Sequence, residues 1–221
     1  MARKNVYFDR IHYRQGISKE ALDKIVQECM RDKAPMTEEV VALILSNRIL
    51  MDSQKRIFQK VFHNIGVEVD WQFWFAPDAD LIEVTREGVF IGYELKGVTA
   101  KKQQYEFPAV YEGLDEALVY LRNPVVIRGE EKTLNASLFD YVYLVHAGSE
   151  PDISMCKVID QCTPIGFILI DYDGVKEIVK PKENPFASKA TKQMFLNNLN
   201  VLDSYKLGRN ILLPKPISPK G

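Results

Sequence analysis

Residues 77–97, PDADLIEVTREGVFIGYELKG, constrain the fold more than any other stretch of this chain. Two apolar alternating runs, 80–84 and 89–96, flank the turn residues Thr85-Arg86-Glu87-Gly88, the pattern of a β-hairpin. Successive strand side chains point to opposite faces. Val89, Ile91, Tyr93 and Leu95 therefore share one face, and Glu94 and Lys96 lie together on the other. Asp80 begins the first strand, close to where its antiparallel partner ends. An Asp, a Glu and a Lys thus converge at one end of a hydrophobic sheet.

The residue types point to a chemistry. Hard divalent cations prefer oxygen ligands and usually take one or two protein carboxylates, leaving room for water and a substrate phosphate. Asp80 and Glu94 supply two carboxylates from adjacent strands, and the backbone carbonyl of Leu95 offers a third oxygen. Mg²⁺ or Mn²⁺ so held polarises a scissile phosphate and acidifies an attacking water. Lys96 is placed to orient that water and to offset charge on the phosphate. No Ser or Cys nucleophile is needed. Pro77-Asp78 is the literal Pro-Asp pair, but Asp80 directly precedes the apolar alternation; Asp78 is an accessory candidate. The bland alternative is a surface hairpin carrying a solvated Glu/Lys pair. Two sequence copies serve as controls: Glu130-Glu131-Lys132 and Pro151-Asp152 repeat the residue types, yet no paired strand pattern accompanies either.

Asp80, followed by Glu94-Leu95-Lys96 at the end of the next strand, resembles the signature of the PD-(D/E)xK nuclease superfamily. That group includes restriction endonucleases and archaeal Holliday-junction resolvases. The resemblance implies an α/β fold with a restriction-endonuclease-like core, a central mixed β-sheet flanked by helices in the order αβββαβ. It also implies metal-dependent cleavage of DNA. Many members carry a Glu on the helix before the first strand. Residues 46–65 contain none, and Asp52 and Gln54 lie about where that side chain would point. Some branches place a Gln and a Tyr after the Lys, on a helix facing the site; Gln104, Tyr105, Tyr111 and Glu116 are the candidates here.

The flanking patterns complete the core over 37–146. Residues 37–65 show helical spacing, with Thr37 at the start, Glu38 and Glu39 in the first turn, and a stop at Gly66. Whether they make one helix or two stays open. The aromatic-rich alternation of 67–75 predicts the first strand, and 99–105 reads as a polar linker. Pro108 opens a predicted helix to Leu121, with Val110, Leu114, Ala117, Leu118 and Leu121 at helical spacing. Residues 141–146 predict the next strand, joined by a parallel crossover. Lys101 and Lys102 follow Lys96 closely enough to grip backbone phosphates; a solvated turn explains them equally well.

The chain reads as a single domain, 1–221. An N-terminal helical extension (1–36) holds a helix capped by Ser18 and running to about Arg31. A C-terminal hairpin plus helix (147–211) has runs 165–171 and 175–179 about Asp173-Gly174, then a helix around 191–200. An extended proline-punctuated tail (212–221) ends it. Lys180, Lys182, Lys189 and Lys192 are further phosphate-binding candidates, with a solvated face as the plain alternative.

Composition sets bounds. With 46% hydrophobic residues among 221 the chain can bury a core. The net charge of −1 announces no global basic field, so DNA binding would need a local patch. Cys29, Cys156 and Cys162 form no CxxC pair and read as buried thiols in a reducing compartment. His12, His63 and His146 show no ligand spacing; His146 ends a strand near the site, where packing or a backbone hydrogen bond is the expectation. No apolar run approaches the ~20 residues that span a bilayer. The expectation is a soluble, intracellular, cytoplasmic, metal-dependent DNA endonuclease, homodimeric because two strands are most simply cut by two related sites. No membrane or small-molecule cofactor is implied. The contrasting expectation is a non-catalytic nucleic-acid-binding or assembly protein that keeps a degenerate nuclease fold. A carboxylate-pair sugar hydrolase is weaker, since it leaves Lys96 unexplained.

Overall fold

A computed structural model describes residues 19–51, 56–59, 73–75, 79–101, 104–122, 124–127, 133–135 and 137–197. The candidates Asp52, Gln54, Asp78 and Lys102, together with segments 1–18 and 198–221, lie outside the described residues. In chain order the elements are α1 (Lys19–Arg31), α2 (Glu38–Leu50), β1 (Arg56–Gln59), β2 (Phe73–Phe75), β3 (Leu81–Val84) and β4 (Phe90–Lys96). There follow β5 (Thr99–Lys101), β6 (Gln104–Glu106), α3 (Leu114–Tyr120), β7 (Pro124–Ile127), β8 (Thr133–Asn135) and β9 (Tyr141–Ala147). The chain continues through α4 (Ile153–Cys162), β10 (Gly166–Asp171), β11 (Gly174–Val179) and α5 (Lys189–Asn197).

The fold is α/β, with a mixed six-stranded sheet in the order β1-β3-β4-β9-β10-β11 flanked by helices. β1, β3 and β4 are antiparallel neighbours; β4, β9 and β10 run parallel; β11 returns antiparallel to β10. Alternation in the strands builds two cores. Leu81, Tyr93, Leu95, Val145, Ile168 and Ile170 face α2, which in turn is covered by Leu22, Val26 and Cys29 of α1. Helix α2 is apolar nearly all round because it is sandwiched between the sheet and α1. Ile82, Phe90, Leu144, Phe167 and Leu169 face the other way, toward α3 and α4. Two successive parallel crossovers moving in one direction place their helices on one face when both have the usual hand.

Close approach explains Gly97. A β-carbon there would lie 1.9 Å from Glu38 N, where the start of α2 passes over the end of β4. The C-terminal extension is tied firmly to the core. Asn184 Nδ2 donates to the carbonyls of Leu121 and Phe139, and Asp140 accepts from Phe90 N at 2.8 Å and from Lys192 Nζ at 2.7 Å.

Several expectations need correction. Of the three thiols only Cys29 is buried; Cys156 is half-buried and Cys162 exposed. Among the described residues the first strand of the central sheet is β1, and of the expected strand 67–75 only 73–75 is described. The aromatic residues Phe73–Phe75 instead pair with β7 in a separate three-stranded sheet, β2-β7-β8. Helical spacing over 37–65 covers one described helix, which ends at Leu50, and Arg56–Gln59 is extended. The helix expected from Pro108 begins at Leu114, because Tyr111 and Gly113 have φ of +68° and +77°, outside the helical region. The supposed linker 99–105 contributes β5 and β6, a hairpin exposed on both faces and therefore without an apolar alternation to betray it. Helix α4 was not anticipated. Its start is marked by Asp152, which accepts from Met155 N at 2.7 Å, but only Met155 and Ile159 are buried, too thin a stripe to read. Among the described residues no helix is long and apolar enough to cross a membrane.

Candidate active site

The hairpin β3–β4 places the three predicted residues together. Leu81 pairs with Tyr93, so the register carries Asp80 opposite Glu94. Asp80 Oδ2 accepts the Leu95 N–H at 2.9 Å. In a strand the N–H and C=O of one residue leave toward the same neighbour, so the Leu95 carbonyl opens toward the same gap beyond the start of β3. Glu94 is only 3% exposed, on the face that packs α3 and α4. Its Oε1 lies 2.6 Å from Lys96 Nζ.

Helix α3 supplies the other half of the cluster. Tyr120 donates its phenol hydrogen to Glu94 Oε2, and Glu116 Oε2 forms a second ion pair with Lys96. Glu116 and Tyr120 are four residues apart, one helical turn, and so share a face. Glu116 was among the candidates on the sequence; Tyr120 was not. The i, i+4 spacing of an acid and a tyrosine on one helix was the available signal. The periodic pattern starts the helix at Pro108, six residues before the observed Leu114. Gly113, at the foot of α3, lies on the Lys96 stem: a β-carbon there would meet Lys96 Cε at 2.5 Å.

The electrostatics follow from burial and crowding. Burial, then the nearby Asp80 charge and a hydrogen bond with Glu116, push the Glu94 carboxyl up to about 8; Lys96 and Tyr120 partly offset this. The Glu116 carboxyl is held below its ordinary value by its hydrogen bonds with Glu94 and Lys96. Burial works against the Lys96 ammonium, but Glu116 and Glu94 outweigh it and hold its pKa above the usual lysine value. Burial and the Glu94 charge keep the Tyr120 phenol protonated, so it acts as a donor. Lys96 is a fixed cation, and Glu94 with Asp80 forms a crowded pair of acids on which a divalent cation would relieve repulsion. The donor set suits a hard cation: two carboxylates and a carbonyl, with no sulfur or imidazole among them. Among the described residues no group of three or more acids, histidines or cysteines has metal-binding geometry.

Of the described accessory candidates, Gln104 and Tyr111 fall elsewhere, and so do the described lysines. Gln104 sits at the exposed tip of the β5–β6 hairpin opposite Lys101, and Lys101 pairs with Glu106 at 2.7 Å. Tyr111 is exposed in the turn before α3. Lys180 follows Val179, which shares a row with Phe167, Leu144 and Glu94, so Lys180 and Lys182 lie by the edge strand, three strand spacings (about 14 Å) across the sheet from Glu94. Lys182 also donates to the Asp160 carbonyl, and Lys192 is taken by Asp140. None of these lysines adds positive charge beside the acids. His146, the register partner of Lys96 on β9, makes a backbone contact instead: its Nε2 lies 2.7 Å from the Glu112 carbonyl. A carbonyl only accepts, so Nε2 carries the hydrogen, and burial holds the imidazole below its ordinary pKa. A second buried acid, Glu83, accepts from Tyr93 at 2.6 Å on the α2 side of the sheet and takes no part in the cluster.

Comparison with known proteins gives no match: no protein-family model, curated protein or solved structure is significantly similar to this chain.

Proposed function

We propose that the chain is a metal-dependent DNA endonuclease with a restriction-endonuclease-like core, hydrolysing phosphodiester bonds as a homodimer. One observation carries this reading: Asp80, Glu94 and Lys96 meet at the end of β4 where the Leu95 carbonyl also opens. The order of elements adds support. A helix (α2), three antiparallel neighbours (β1, β3, β4), a helix (α3) and a parallel strand (β9) succeed one another along the chain and across the sheet. That is the αβββαβ order, interrupted by the small β2-β7-β8 sheet and the β5–β6 hairpin.

Asp80, Glu94 and the Leu95 carbonyl would hold Mg²⁺ or Mn²⁺, which would polarise the scissile phosphate and acidify an attacking water. The remaining work falls to the chain itself. Tyr120 fixes the Glu94 rotamer by donating to one oxygen. Glu116 and Glu94 hold the Lys96 ammonium from two sides, with Gly113 bracing its stem. Lys96 then presents a fixed positive charge to the phosphate, which lowers the barrier most when it needs no reorganisation.

The second reading is a non-catalytic nucleic-acid-binding or assembly protein. It is favoured by the two carboxylates that already answer Lys96 and by the small set of acids at the site. Cleavage of supercoiled plasmid, linear single strands and a synthetic four-way junction, with Mg²⁺, Mn²⁺ or EDTA, separates the two. Metal-dependent cutting by the wild type, lost in Glu94→Gln and in Lys96→Ala, is the expected result. DNA binding without cutting, alike in all three proteins, would select the second reading.

A further inference from the structure

One strand over from the acid–lysine cluster lies a cavity of about 270 Å³, between residues 107–110, the C-terminal end of β9 and Phe167 and Leu169 of β10. Phe167, Leu169 and Met155 line it with apolar surface, and His146 contributes a wall, its ring edge-on to Phe167 at 5.3 Å. Because His146 pairs with Lys96 in the parallel register, the cavity lies on the same face of the sheet as Lys96, and the backbone of its His146 wall is one strand spacing, about 5 Å, from that of Lys96. Its polar lining includes Glu150 and Asp152 and, among the described residues, no Lys or Arg. Such a lining repels phosphate and attracts neutral groups that donate hydrogen bonds, such as exocyclic amino and ring N–H groups.

The lip of this cavity is unusually apolar for a solvated surface. Phe107 is 66% exposed and Val110 52%, two large apolar side chains three residues apart, both lining the cavity. Contiguous exposed apolar surface of this kind marks a place of contact. The lip is also held rigid. His146 anchors the Glu112 carbonyl, the Glu112 carboxylate accepts Ala109 N–H at 2.7 Å, and Tyr111 is held at φ +68°. A non-glycine residue at positive φ persists only where its surroundings enforce it.

We infer that this cavity and its aromatic lip take an unpaired nucleobase of the strand whose backbone crosses Asp80, Glu94 and Lys96. The substrate class is therefore DNA with single-stranded character at the cut, a linear single strand or a flap. This rests on the nuclease reading above. A flat apolar body with hydrogen-bond donors on its edge is what an apolar slot with acidic groups selects. The exposed Phe107 ring adds stacking that tolerates any base. In a duplex the same base is stacked and its donor edge is occupied, so entry requires extrusion.

The test is binding in Ca²⁺ or EDTA, followed by cutting in Mg²⁺, with the full chain. The probes are a 2-aminopurine-labelled single strand, the same strand in a duplex, and a strand with one abasic position walked past the cut site. The expected result is about tenfold tighter binding of the single strand than of the duplex, with the fluorescence changed at one or two positions. An abasic site at those positions should remove the advantage, and so should Phe107→Ala. Phe107 is exposed, so its truncation leaves the core intact. Equal binding and cutting of single strand and duplex, indifferent to the abasic walk and to Phe107→Ala, would overturn the inference and leave the nuclease reading standing. No binding or cutting of any DNA would overturn both. Loss of self-association in Phe107→Ala, with DNA binding unchanged, would assign the lip to a second copy of the chain and overturn the inference.

Discussion

Lys96 and Gly113 are pressed together: the glycine at the foot of α3 leaves room for the lysine stem and for nothing larger. This contact couples the strand that carries the acids to the helix that carries Glu116 and Tyr120. Gly113 also has φ of +77°, a conformation in which a β-carbon is strained. Gly113→Ala is therefore expected to lower stability by about 1 kcal/mol or more in denaturant titrations. It should also reduce cutting further than the stability loss explains, because Lys96 must move. Wild-type cutting by a folded Gly113→Ala protein would argue against a fixed lysine.

Tyr120→Phe deletes the hydroxyl that donates to the buried Glu94 carboxyl. Leaving Glu94 without that donor is expected to destabilise the fold by about 1–3 kcal/mol. The phenol also lowers the Glu94 pKa, so its removal should raise that pKa and weaken Mg²⁺ binding. Calorimetric titration of both proteins at one pH reads this directly; equal affinities would remove Tyr120 from the metal-holding role.

Metal binding should depend on pH. Glu94 carries a proton up to about pH 8, and a ligating carboxylate must lose it. Mg²⁺ affinity is expected to rise by up to about tenfold per pH unit from pH 6 toward 8 and to flatten above, with one proton released per metal. The measurement is titration calorimetry in buffers of different ionisation enthalpy. An affinity constant across that range would sink the prediction.

His146 predicts an acid weakness in the fold. Burial lowers its folded pKa below the ordinary 6.5, so the unfolded chain takes up a proton first as pH falls. The contribution is neutral above about 6.5 and turns destabilising below it, growing until the folded pKa is reached. His146→Gln keeps a donor for the Glu112 carbonyl without titrating. Its stability should fall less between pH 7 and 5 than the wild type's, measured by urea unfolding at each pH.

Much of this arrangement was legible in the residues. Alternation in 89–96 assigned Glu94 and Lys96 to one face, and the turn at 85–88 brought Asp80 to the right end; both depend only on the two-residue period of a strand. The Asp173-Gly174 turn and the 141–146 strand were read in the same way. Helix α3 was harder, because its periodic pattern extends back to Val110 while positive φ at Tyr111 and Gly113 holds the first turn out of the helix. Residues 67–75 alternate like a central strand, yet Phe73–Phe75 pair with β7. Alternation reports a strand, not its partner.

By itself, then, the sequence determined which residue types share a face, where the hairpins turn, and that two acids and a lysine meet on one sheet. Those properties are local, set by backbone periodicity and turn chemistry over a few residues. Tertiary structure decided what surrounds that cluster. It set Tyr120 and Glu116 against Glu94 and Lys96, carried Lys180 and Lys182 to the edge strand three strands away, and opened a cavity beside His146. Those relations join residues tens of positions apart. They depend on strand order and helix placement, which are settled by packing the whole core at once and not by any single segment's pattern.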